Sequence, residues 1–272
     1  MTSNGNHSNG HEKPSGAPKG PITDTMQKPL IKRFYKEASV GDGAFFQILL
    51  DGRVVKTPKK RALLLPTRPL ADAIAAEWAA QGDNIEPWTM PLTRFANTAI
   101  DAVGDAQEDV AGDIVAFVTS DLLCYRSLEE PKLADKQAAH WDPVLAWASE
   151  ALGAKFIVTK GIVPVEQPRI AIQRVAGALE PHEPFRLTGL HVITTLTGSA
   201  ILAVAHARDA LSADATWAAA HVDEDYQIAM WGPDEEAVQR RKNRRFDFDA
   251  ASRLLELLKH SGAPGAAAKT GH

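Results

Sequence analysis

Strand signals crowd into the first 65 residues of this 272-residue chain, and helical periodicity fills the remainder. That segregation is the strongest constraint on its fold. Ala44 to Leu50 reads Ala-Phe-Phe-Gln-Ile-Leu-Leu, a strand-forming run, and the Asp51-Gly52 pair behind it is a two-residue hairpin turn. The turn leads into Arg53 to Thr57, and Pro58-Lys59-Lys60 then redirects the chain into a third short strand, Arg61 to Leu65. Gly41-Asp42-Gly43 marks an earlier turn, after a strand through Arg33 to Ala38. A sheet of a few strands is marginal in water, so other elements must pack on it.

Those elements are helices. Pro69 suits the first position of a helix running to Gln81, with Gly82 as its stop. A second helix covers Leu92 to Val103 and ends at Gly104. In a third, Val110, Ile114, Phe117 and Val118 recur at helical spacing as a buried stripe. Lys132 to Leu152 repeats the pattern through Trp141, Leu145 and Ala148, and Gly153 closes it. Phe156 to Pro164 is extended. Further helices lie at Pro168–Leu179, Phe185–Leu196, Ser199–Asp209, Ala213–Met230 and Pro233–Leu258, the last bending or breaking near Phe246. No βαβ alternation occurs, so the predicted class is α+β. A small antiparallel β-rich N-terminal domain (residues 30–66) precedes a larger, mainly α-helical domain (67–260). Residues 1–29 and 261–272, rich in Gly with Ser, Asn and Pro or with Ala, have almost nothing to bury and are expected to be loose tails.

Composition and motifs exclude more than they specify. A net charge of -4 and a pI near 6.1 argue against a phosphate backbone as partner. No apolar run approaches the roughly 20 residues that cross a bilayer. The single cysteine, Cys124, fits a reducing compartment, and the N-terminal stretch has neither a secretory core nor the Arg-rich, acid-poor character of a transit peptide, so a bacterial cytoplasm is expected. Walker and dinucleotide glycine patterns are missing, as are His-Glu-x-x-His and every multi-thiolate zinc arrangement, so neither cofactor nor metal is expected. Gly198-Ser199-Ala200 lacks the second glycine of a nucleophile elbow, and Ser199 reads as a helix cap. Cys124 with His140 could form a thiol–imidazole pair, but a free cysteine in an apolar stretch is more often a small buried hydrophobe.

One charged feature resists a purely local account. Asp223-Glu224-Asp225 and Asp234-Glu235-Glu236 flank an apolar segment with Tyr226 and Trp231, and Arg240-Arg241-Lys242 and Arg244-Arg245 come after. Helix-dipole and i,i+4 pairing explain individual members: acids sit in first turns, and Glu236 reaches Arg240. Six carboxylates together repel one another unless something cationic satisfies them. Aromatic side chains beside charge are common at protein interfaces.

With these residues in view, the chain resembles the assembly chaperone for the alpha subunit of the F-type ATP synthase catalytic head. The matching stretches are Arg33-Phe34-Tyr35 with Asp51-Gly52-Arg53; Ala76-Glu77-Trp78 with Gln81; Met90-Pro91-Leu92-Thr93; Thr119-Ser120-Asp121-Leu122-Leu123; Gln137 with Trp141-Asp142-Pro143; and Asp223 to Gln227 through Trp231-Gly232. The resemblance implies a non-enzymatic protein, monomeric when free, that binds the free alpha subunit and shields its beta-facing surface until assembly. It also implies a functional glutamate in the C-terminal helical region. The positions that match are Glu224 and the Asp234-Glu235-Glu236 group, Glu236 first and Glu224 second, with Asp223 and Trp231 beside them. Two other readings of the same residues are a carboxylate-dependent hydrolase and a regulatory subunit that stays in the complex.

Overall fold

The structure, a computed structural model, describes residues 30–259; the two expected tails lie outside the described residues. Strands β1 (Ala38–Gly41), β2 (Phe46–Leu50), β3 (Arg53–Val54) and β4 (Leu64–Leu65) form an antiparallel sheet with β2 at its centre. Ala38 pairs with Leu50, Leu50 with Arg53 and Phe46 with Leu65. Alternation along β2 points Phe46, Ile48 and Leu50 inward. The hairpin turn is where the Asp51-Gly52 pair places it, with φ of 47° and 77° at its two residues. The first strand starts later than the expected Arg33. Residues 31–33 instead pair with residues 83–85, Arg33 N–H donating to the Asp83 carbonyl (2.9 Å) and Ile85 N–H to the Ile31 carbonyl (2.8 Å).

Ten helices come next among the described residues: α1 (Arg68–Ala79), α2 (Pro91–Asp101), α3 (Gln107–Val118), α4 (Pro131–Trp147), α5 (Arg169–Ala178), α6 (Pro184–Thr197), α7 (Ala200–Ala207), α8 (Ala213–Ala220), α9 (Val222–Trp231) and α10 (Glu235–Lys259). Sheet then helices is the α+β order that the sequence predicts. A wide π-helical turn, Ala148–Leu152, prolongs α4 until Gly153 ends it at φ 70°.

Two helical expectations are corrected. Ala213–Met230 is not one helix: the chain breaks at His221, whose ring stacks on Trp217 (3.8 Å between centroids) and whose Nδ1 donates to the Trp217 carbonyl at 2.8 Å. Conversely, α10 runs unbroken through Phe246. It contains neither Pro nor Gly, the usual causes of a sharp kink.

A short parallel pair, β5 (Tyr125–Arg126) with β6 (Thr159–Lys160), lies apart from the main sheet. The sheet's inward residues Phe46, Ile48, Leu63 and Leu65 belong to one buried cluster with Ile74 of α1, Phe95 of α2, Ile114 of α3, Leu190 of α6 and Phe248 of α10. A second cluster gathers Leu123, Trp141, Val144, Ile201, Leu202 and Val222.

Helix α6 is the hub, packed against α2, α3, α7 and, most extensively, α10. Gly189 permits the α6–α10 approach: a Cβ there would stand 2.8 Å from Leu255 Cδ2 and 3.0 Å from its Cγ. Leu255 is buried and has little room to move. Gly189→Val is therefore expected to lose about 1–3 kcal/mol by overpacking, more than the few tenths that valine's better helix propensity returns. Urea denaturation checks this; a variant as stable as the parent would mean that α10 has slack.

Candidate partner-binding surface

The acidic residues of the sequence lie at the corner between α9 and α10. His221 closes α8 and opens α9, placing Asp223, Glu224 and Asp225 in the first turn of α9, where the helix dipole favours carboxylates. Gly232, at φ 84°, releases the chain from α9, and Pro233 leads to Asp234. Asp234 Oδ1 accepts from Ala237 N–H at 2.8 Å, the side-chain cap that starts α10, with Glu235 and Glu236 in its first turn.

The two acid groups fare differently. Asp223 Oδ1 accepts from Gln137 Nε2 at 2.7 Å, and Gln137 Oε1 accepts from Ser127 N–H at 2.7 Å, so Asp223 ties α9 to α4 and to the segment before it. Asp225 pairs with Arg241 of α10 at 2.5 Å. Half-buried Glu224 stands 4.0 Å from both Arg241 and His221 Nε2. The cation that the sequence required for these carboxylates is thus supplied in part by Arg241 of the same chain. Desolvation by burial, with the nearby arginines Arg244 and Arg241 adding to it, holds the His221 imidazole below its ordinary pKa. Glu235 and Glu236 remain exposed, Glu236 only loosely paired with Arg240 at 3.4 Å.

Beside these acids, Trp231 is 76% exposed and Met230 is 59% exposed. Tyr226, one turn earlier on α9, is buried, and its hydroxyl donates to Glu130 Oε2 at 3.4 Å. The corner therefore offers an apolar tip fastened to α4 at its base and fringed by carboxylates.

The other motif residues act inside the fold. Glu77 of α1 accepts from Leu92 N–H (2.7 Å), Thr93 N–H (2.8 Å) and the Thr93 hydroxyl (2.7 Å), capping α2 from a neighbouring helix. Burial raises its pKa, and those hydrogen bonds oppose the rise. Gln81 accepts from Glu86 N–H at 2.7 Å and donates to the Thr89 hydroxyl at 3.1 Å. Ser199 caps α7, accepting from Leu202 N–H at 3.0 Å. Cys124 is fully buried and its thiol is pushed up to about 12, chiefly by burial, whereas His140 is exposed. A thiol so hard to ionise is a poor nucleophile. Among the described residues no group of three His, Cys, Asp or Glu side chains could hold a metal ion, and no helix is long and apolar enough to cross a membrane.

Sequence reasoning missed one surface. Leu128, Ile157, Val158, Ile162 and Val163 are all exposed around β5 and β6. The signal was the apolar content of the extended stretch after Phe156, which has no alternation to bury one face.

Comparison with known proteins then supplies the class. The Atu1473 protein of Agrobacterium tumefaciens, described as a candidate chaperone, is 46% identical, with a TM-score of 0.83 over 89% of this chain and 92% of that one. Atp12 from Paracoccus denitrificans is 36% identical, with a TM-score of 0.80 over 84% of this chain and 98% of that one, and an aspartate-to-lysine mutant of it matches equally well. The class is that of α+β chaperones. Residues 32–149 match the family described as ATP12 chaperone protein, and the chain belongs to that family of ATP synthase assembly chaperones.

Proposed function

We propose that this chain binds the free alpha subunit of the F-type ATP synthase catalytic head and covers its beta-facing surface until assembly, without cofactor or turnover. An obligate subunit interface is large and apolar, so an unpaired subunit exposes a face that favours aggregation. A temporary cover needs apolar anchors for affinity and charge for selective, fast association. The observation that carries the reading is the exposed Trp231 and Met230 pair amid the α9–α10 carboxylates. In this reading Glu236, Glu235 and Glu224 face the client, Trp231 inserts, and Asp223 and Asp234 hold the corner in shape. The chain would act as a monomer in the bacterial cytoplasm.

Light scattering of free alpha subunit tests the proposal: near-equimolar chaperone should suppress aggregation, and no change in scattering at excess chaperone would remove it. Trp231→Ala and Glu236→Lys should each weaken alpha-subunit binding about tenfold or more, the loss expected of a central interface anchor. Melting should stay close to the parent's, since both side chains are exposed. Undiminished affinity in both variants would take the corner out of the interface.

A further inference from the structure

A two-residue parallel strand pair with one edge unpaired is an incomplete structure. Parallel strands occur almost only where both faces are covered, and a two-stranded unit is marginal in water. Yet β6 pairs only with β5 among the described residues, and its flanks are apolar. Ile162 is 94% exposed, Val163 71% and Leu128 66%, with Ile157 and Val158 also exposed.

The exposure is built in. Buried Gln167 clamps the base of the loop, accepting from Ile157 N–H and donating to the Ile157 carbonyl, each at 2.9 Å. Gly161 N–H donates to the Arg126 carbonyl at 2.9 Å, and Gly161 packs beside Leu128, to which an added Cβ would stand 3.7 Å. Buried Arg126 is itself locked to Asp142 at 2.7 Å. A fixed frame thus holds these side chains outward. Leu128 lies two residues before Glu130, the acceptor of the Tyr226 hydroxyl, so one short segment links the frame of this patch to the base of the α9–α10 corner.

We propose that the open edge of β6, with Leu128, Ile157, Ile162 and Val163, docks an extended apolar segment of the client protein that carries an acidic side chain opposite Lys160. Strand addition satisfies an unpaired edge through main-chain hydrogen bonds, while alternate side chains give selectivity. Lys160 decides the occupant. Two-fold pairing of two copies with its axis at Lys160 would bring two Lys160 ammonium groups together beside Arg126, which already lies opposite Lys160 on β5, and like charges directly opposite destabilise a strand pair. A two-residue strand with a few flanking apolar side chains also buries far less than the roughly 1,200 Å² of a standard interface, so it serves as one part of a larger client contact. The inference rests on the alpha-subunit reading above.

The test uses the full chain, its Ile162→Asp/Val163→Asp double variant and Lys160→Glu, with free alpha subunit as the probe. The double variant should melt with the parent, bind alpha subunit at least tenfold more weakly and sediment as a monomer, as the parent does. Lys160→Glu should also lose affinity, and raising the salt should narrow its gap from the parent. If the parent binds and the double variant binds equally well, the edge is not a docking surface and the α9–α10 reading stands alone. If the parent itself fails to bind, the functional proposal falls and takes this inference with it. A parent dimer that the double variant dissolves would name a second copy as the occupant and overturn the assignment.

Discussion

Replacing Trp141, the largest fully buried side chain among the described residues, by alanine is expected to cost about 3–5 kcal/mol and to lower Tm by about 10 °C. The indole sits at the middle of α4, fully buried among Leu123, Val144, Ile201, Leu202 and Val222. Its Nε1 donates to the Ala219 carbonyl at 2.7 Å, joining α4 to α8, and the Arg126 guanidinium lies 4.8 Å over its ring. Alanine would leave a cavity, an unpaired buried carbonyl and an arginine without its aromatic face. Trp141→Phe keeps most of the apolar volume but not the donor, so it should lose only about 1–3 kcal/mol. Chemical denaturation of both variants checks the argument. A loss below about 1 kcal/mol for the alanine variant would show that the second cluster does not hold α4.

Trp141 was legible as core because helical spacing makes a stripe of Trp141, Leu145 and Ala148, and local chemistry announced other features equally well. The Asp51-Gly52 turn, the Gly153 stop and the Ser199 cap each depend on residues within a few positions of one another. What stayed hidden depends on pairs distant in sequence. Glu77 caps a helix that begins 14 residues later, Asp121 reaches Ile201 over 80 residues, and Gln137 holds Asp223 across 86. No periodicity encodes such contacts. The same limit applies to the candidate surface. Six acids were visible as a cluster, but only the folded arrangement of α4, α9 and α10 gives Asp223 and Asp225 partners in the chain and leaves Glu235, Glu236 and Trp231 outward. The β5–β6 pair was half visible, since Phe156 to Pro164 read as extended while Tyr125-Arg126 is too short to signal a strand.

Asp121 carries the second large expectation, and it has a pH signature. The carboxylate is fully buried, with Oδ1 accepting from Leu123 N–H and Oδ2 from Ile201 N–H, each at 3.1 Å, so one side chain caps the turn before β5 and the start of α7. Asp121→Ala would leave both donors buried and unpaired, an expected loss of about 2–5 kcal/mol. Burial pushes the carboxyl pKa up to about 6 from its ordinary 3.8, while the hydrogen bonds from Ser199, Ile201 and Leu123 keep it from rising further. Because the folded pKa lies above the unfolded one, the folded state holds the proton more tightly. The group's contribution is complete below about pH 3.8 and is lost as pH rises through about 6. The alanine variant has nothing to titrate there, so its deficit relative to the parent should be about 1 kcal/mol larger at pH 5 than at pH 7. Denaturation curves of the pair at the two pH values decide it. A deficit independent of pH would mean that the carboxylate is solvated well enough to keep its ordinary pKa, and a deficit that shrinks toward pH 5 would mean that its hydrogen bonds outweigh its burial.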